Sequence, residues 1–103
     1  MKTYTFCGSM RFEKEMMETA FFLETQNDCN ILQCTYTDKQ LSEEERFQLV
    51  KAHYRKIDIS DGIYVLNIDG YIGDSVAEEI RYAKQKGKEI LYHCPVSSKE
   101  ELL

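Results

Sequence analysis

Two glycine-bearing segments hold the residues best suited to chemistry. One is Gly8-Ser9-Met10-Arg11; the other is Asp69-Gly70-Tyr71-Ile72-Gly73-Asp74, which runs directly into Ser75-Val76-Ala77-Glu78-Glu79. In the first, Gly8 permits close approach of the backbone to a ligand, Ser9 offers a hydroxyl and an N–H, and Arg11 brings a fork of donors that suits phosphate. This loop has neither the glycine spacing and lysine of a P-loop nor a dinucleotide fingerprint, and Ser9 would serve equally as a plain helix cap. In the second, Ser75 and Glu78 have the spacing of a capping box, which predicts Glu79 in the first turn of a helix, where the helix field favours negative charge. A fixed, ionised carboxylate is a nucleophile toward an electrophilic sugar carbon, although glutamates also favour helix starts with no chemistry attached. Asp69 and Asp74 flank the glycine turn with Gly70 and Tyr71 between them, and aspartates are ordinary turn formers. Asn67 ends the apolar run before that turn, where a buried amide needs partners. His53 lies close to the main apolar stripe of a helix, as a packing residue or as a proton donor.

The elements that must position these residues follow from hydrophobic period. Thr3 to Cys7 reads as a strand, and Phe12 to Leu23 as a helix whose inward stripe is Phe12, Met16, Ala20 and Leu23, widened by Met17 and Phe21. Asn30 to Tyr36 is a second strand. Ser42 with Glu45 forms a capping box for a helix carrying Phe47, Val50, Tyr54 and Ile57 on one face, ending near Asp58. Gly62 to Ile68 is almost continuously apolar, as a strand buried on both faces should be. A third helix from Ser75 ends at Gly87, suited to a left-handed C-terminal position, and Glu89 to Tyr92 is the last strand. Such alternation predicts an α/β, Rossmann-like or flavodoxin-like three-layer sandwich: a parallel sheet of four or five strands in order 2-1-3-4. Its switch point lies between the first and third strands, and ligands of open α/β sheets bind beyond the carboxyl ends of strands at such a point. Both glycine segments are expected to meet there.

The 103 residues suffice for one domain, taken as 1–103. With 18 acidic against 13 basic side chains, the net charge of −5 disfavours a nucleic-acid partner, and no apolar run reaches membrane-spanning length. The N-terminus lacks the apolar stretch of a secretion signal, so a cytoplasmic location is expected. Cys7, Cys29, Cys34 and Cys94 form no CxxC; Cys7, Cys34 and Cys94 lie in or beside strand-like runs and read as small buried hydrophobes. His93 and Cys94 are adjacent but lack a second ligand pair at zinc spacing, and neither metal nor cofactor is expected.

Taken together, Tyr4-Thr5-Phe6-Cys7-Gly8-Ser9-Met10-Arg11, the aspartate-led strand Asp61-Gly62-Ile63-Tyr64-Val65-Leu66, and the segment from Gly70 to Ala83 resemble the nucleoside 2-deoxyribosyltransferase superfamily. The first segment is most similar to its 2'-deoxynucleoside 5'-phosphate N-hydrolase branch. The resemblance implies cleavage or transfer at the N-glycosidic bond of 2'-deoxynucleosides or their 5'-monophosphates. Glu79 then corresponds to the nucleophile, and Gly8, Ser9 and Arg11 to the loop around sugar and phosphate. Ser75 lies near the phosphate-binding serine at a shorter spacing. Eight residues before Asp61, where the family has an aspartate, this chain has His53, which would act as acid to the leaving base. Arg81 stands where relatives carry glycine. Asp69 completes the expected catalytic set, and Asn67, Gly70, Tyr71, Asp74 and Ser75 the expected binding set. The resemblance also implies a homodimer or higher homo-oligomer. Two other readings stay open: a non-catalytic nucleoside- or nucleotide-binding module, and a structural or protein-interaction domain.

Overall fold

A computed structural model describes residues 1–96. The strands are β1 (Lys2–Cys7), β2 (Cys29–Leu32), β3 (Gly62–Val65) and β4 (Glu89–Tyr92); the helices are α1 (Glu13–Gln26), α2 (Glu43–Asp58) and α3 (Asp74–Gln85). Single 3-10 turns at Met10–Phe12 and Ile68–Gly70 introduce α1 and follow β3. The strands form one parallel sheet in the order β2-β1-β3-β4, as the alternation predicted. The register sets Thr5 beside Leu32 on one side and Ile63 on the other, with Ile63 beside Ile90. Chain connections therefore leave β1 and β3 in opposite directions, and their carboxyl ends diverge at a crevice.

Side-chain alternation along the central strands divides the core in two. Tyr4 and Phe6 pack with Met16, Ala20, Ile31, Cys34 and Leu66 beneath α1. Cys7, Ile63 and Val65 pack on the other face with Ile57 of α2 and Val76, Ile80 and Ala83 of α3. Burying Phe6 and Ile63 completely contributes about 1.5–3 kcal/mol for each side chain. Thr5, also fully buried, satisfies its hydroxyl on Ser60 Oγ at 2.6 Å.

Several local expectations need correction. Met17 and Phe21 do not widen the buried stripe of α1: they are 51% and 72% exposed, because helical rotation turns them away from the sheet that Met16 and Ala20 meet. On α2 only the C-terminal part of the apolar face is seated. Ile57 is fully buried, whereas Phe47 and Val50 are about half exposed at the N-terminal end, where Val50 faces the crevice. The second strand ends at Leu32 rather than Tyr36, and β3 at Val65, with Ile68 in the turn beyond. The Ser42–Glu45 capping box is present in both directions, at 3.1 and 3.0 Å. Its expected counterpart at α3 is not. Gly73 is the N-cap, no side chain caps the turn, and Ser75 lies inside the helix. Glu79 consequently sits in the second turn, beyond the strongest part of the helix field. Gly87 does take the left-handed conformation after α3, with φ 71°.

Candidate functional site

β1 delivers its last residue, Cys7, to the sheet's carboxyl edge and passes at once into Gly8. A Cβ on Gly8 would stand 2.9 Å from Met16 Sδ and 3.3 Å from Leu66 Cβ, so a larger residue would have to displace the buried Met16 side chain for the loop to lie this close to the core. Above it opens a cavity of about 370 Å³. Its walls come from the Gly8–Met10 loop, from Cys34 and Thr35 after β2, from Leu49, Val50, His53 and Lys56 of α2, and from Tyr71 with Gly73–Val76 and Glu79 around the start of α3. The volume falls within the range of small-molecule sites.

Two cavity-lining side chains, His53 and Glu79, converge with the buried Cys7 beneath them, each from a separate element. His53 Nε2 is 3.4 Å from Glu79 Oε1 and 3.6 Å from Cys7 Sγ. Glu79 and His53 side chains are only 15% and 12% exposed, and Cys7 is fully buried. Burial, and next the Glu79 charge, pushes the Cys7 thiol well above its ordinary range. The same two causes in the same order push Cys34 up to about 11 and raise Tyr54. The Glu79 charge thus acts on both thiols and on Tyr54.

Gly8, Ser9, His53, Tyr71, Asp74, Ser75 and Glu79, all expected from the sequence, line this one cavity. Others do not. Asp69 is exposed in the turn after β3 with φ 54°, a left-handed conformation that aspartate tolerates, and Gly70 follows at φ 79°; neither lines the cavity. Asn67, 1% exposed, donates to Cys94 O at 2.9 Å and accepts from Cys94 N at 2.8 Å, which ties the segment after β3 to the segment after β4. Arg11 does not line the cavity; its guanidinium lies 3.8 Å from the ring centroid of Tyr71, a wall residue, while its backbone N–H donates to Ser9 Oγ at 3.4 Å. Arg81 pairs with Glu78 on the exposed side of α3.

Cys34, Thr35, Leu49, Val50 and Lys56 line the cavity and Cys7 lies buried against His53, none of them assigned to the site from the sequence. For Cys7 a signal existed, since it immediately precedes the loop glycine at the carboxyl end of a central strand. Lys56 gave none; its Nζ donates to Gln33 O at 2.7 Å, which secures the stretch after β2 to α2.

Fold and site together define a parallel α/β domain with a carboxylate–imidazole pair at its switch-point crevice. Comparison with family models, curated proteins and solved structures returns no match.

Proposed function

We propose that this protein cleaves or transfers at the N-glycosidic bond of 2'-deoxynucleosides or their 5'-monophosphates, with Glu79 as nucleophile. The observation that carries this reading is the Glu79 carboxylate, largely shielded from water and held by His53, facing a nucleoside-sized cavity across from the Gly8–Ser9 loop. Attack by a Glu79 oxygen on the anomeric carbon forms a glycosyl ester as the carbon–nitrogen bond breaks and the base leaves with its electron pair. Water or a second base then displaces the glutamate. His53 lies against the nucleophile itself, a placement that orients the carboxylate, and this makes it a positioning residue in place of the acid first expected. The resemblance to the nucleoside 2-deoxyribosyltransferase superfamily, carried by Cys7-Gly8-Ser9 and by the segment around Glu79, supports the same chemistry. The same reading puts the protein in the cytoplasm, where four free thiols stay reduced.

The test incubates the protein with a panel of 2'-deoxynucleosides and their 5'-monophosphates, with and without a second free base, and follows released base and exchanged nucleoside by chromatography. Turnover abolished in Glu79→Ala and Glu79→Gln, with circular dichroism unchanged, supports the nucleophile. His53→Ala should slow all substrates by a similar factor if it positions Glu79; a loss smallest for bases that leave easily restores the acid role. Full activity in Glu79→Ala refutes the assignment. Saturable binding with no turnover on any substrate makes the protein a nucleoside- or nucleotide-binding module.

A further inference from the structure

The convergence of Cys7, His53 and Glu79 offers more than a carboxylate beside an imidazole. Their ligand atoms, one sulfur, one imidazole nitrogen and one carboxylate oxygen, all lie within 4.8 Å of one another. A tetrahedral ion with metal–sulfur bonds of about 2.3 Å and metal–nitrogen and metal–oxygen bonds of about 2.0–2.2 Å has a sulfur–nitrogen edge of about 3.6 Å and a nitrogen–oxygen edge of about 3.4 Å. Two of the three observed edges match these values, 3.6 Å from Cys7 Sγ to His53 Nε2 and 3.4 Å from His53 Nε2 to Glu79 Oε1, and the sulfur–oxygen edge is within 4.8 Å. We propose that Cys7, His53 and Glu79 form a binding site for one divalent transition-metal ion of the zinc class, with its fourth position open to the cavity.

The donor set selects the class. Calcium and magnesium take oxygen ligands, whereas thiolate and imidazole favour zinc and its neighbours. Three protein ligands beside a cavity leave a coordination position for water or a small ligand. The three residues come from the end of β1, the middle of α2 and the second turn of α3, and the packed core holds them together before any ion arrives. Binding takes Cys7 as the thiolate, its proton passing to solvent, so a thiolate, a carboxylate and a neutral imidazole carry two negative charges against the two positive charges of the ion.

This goes beyond the glycosidic reading and does not depend on it, because occupancy is measured without turnover. The two meet at one point: an ion on the Glu79 oxygen occupies the electron pair that nucleophilic attack requires.

The full chain, reduced and freed of metal by a chelator, is titrated with Co²⁺ and then with Zn²⁺. The expected result is one ion per chain, a thiolate-to-cobalt charge-transfer band in the near ultraviolet with tetrahedral d–d bands in the visible, and displacement of both by zinc. Cys7→Ser should lose the charge-transfer band, and His53→Ala and Glu79→Gln should each weaken binding at least tenfold. Cys29→Ser and His93→Ala should leave it unchanged. Zinc at a hundredfold excess over Kd should raise Tm by upwards of about 10 °C in the wild type and by little in Glu79→Gln. Absence of one-to-one binding, a charge-transfer band that survives in Cys7→Ser, or affinity unchanged in Glu79→Gln overturns the proposal. If Cys7→Ser fails to fold, Glu79→Gln and His53→Ala decide it alone. Metal binding with no turnover under chelation leaves this site standing and removes the glycosidic reading; turnover with no metal binding does the reverse.

Discussion

Replacement of Asn67 by alanine should destabilise the protein by about 3 kcal/mol while leaving the cavity intact. Asn67 is 1% exposed and spends its amide entirely on the Cys94 backbone, donating at 2.9 Å and accepting at 2.8 Å. Truncation removes two hydrogen bonds that contribute about 0.5–1.5 kcal/mol each, and leaves a Cys94 N–H and C=O to find other partners at about 1–3 kcal/mol for each that stays dry. Cys94 is only partly buried, so water satisfies some of this demand, and the lost side-chain volume adds a small cavity cost. For a domain of this size, about 3 kcal/mol lowers Tm by roughly 12–24 °C. Thermal and urea unfolding followed by circular dichroism measure the effect, and nucleoside binding measured well below the variant's Tm should match wild type. Asn67→Asp keeps the acceptor, loses the donor and buries a charge, so it should be no more stable than Asn67→Ala. A loss under about 1 kcal/mol would refute the bracing role, and weakened ligand binding at full stability would return Asn67 to the binding site expected from sequence.

Arg11→Ala should weaken binding of 5'-monophosphates more than that of the parent nucleosides, because the guanidinium stacks on Tyr71, which lines the cavity as Ser9 does; equal effects on both ligands would remove the phosphate role. Light scattering should give a mass of at least twice 12.1 kDa, the apolar and exposed Met17, Phe21 and Phe22 of α1 forming the contact, and Phe21→Asp should yield the monomer. A wild-type monomer overturns the homo-oligomer, and an unchanged mass in Phe21→Asp moves the contact to Phe47 and Val50. Burial holds Cys34 at about 11 in the folded chain against about 8.5 when unfolded, so its contribution is fully present below pH 8.5 and is lost as pH rises toward 11. Stability of the wild type should fall across that window by about 3 kcal/mol more than that of Cys34→Ala, and parallel curves would contradict the shift.

The sheet was legible because its signals are periodic and local. The nearly continuous apolar run from Gly62 to Ile68 reads as a strand buried on both faces, and alternating strands and helices leave few right-handed parallel arrangements. Element ends were less legible. The Ser75–Glu78 spacing matches a capping box as well as Ser42–Glu45 does, but Asp74 takes the first helical position and Gly73 supplies the extended cap backbone, a choice the side-chain spacing does not record. Exposure of Phe47 and Val50 could not be read either, since their periodicity is the same whether a helix face meets a sheet or overhangs its edge. Within the site, Gly8, Ser9, Asp74, Ser75 and Glu79 were found because they sit at strand-to-helix junctions. Asp69 belongs to the same junction but stands exposed in a left-handed turn and does not line the cavity.

Cys7 shows why chemistry at such a crevice eludes linear spacing. It is 46 residues from His53, and the two meet only because α2 crosses from the far edge of the sheet to lie over the end of β1. Any pairwise reading of the site is therefore incomplete. His53 presents the same Nε2 to both Cys7 and Glu79; as a donor to Glu79 that nitrogen cannot also accept from the thiol, and as a metal ligand it can do neither. On the two proposals, a nucleophilic Glu79 and a metal-bound Glu79 would be alternative states of one cluster, selected by free metal concentration. Assays of base release should be run at both chelated and buffered zinc. If both proposals hold, the rate falls with zinc along the occupancy curve measured by Co²⁺ displacement. A rate that rises with zinc would mean that the open coordination position, rather than the carboxylate, activates the attacking group, and Glu79 would then belong to the reaction only as a ligand.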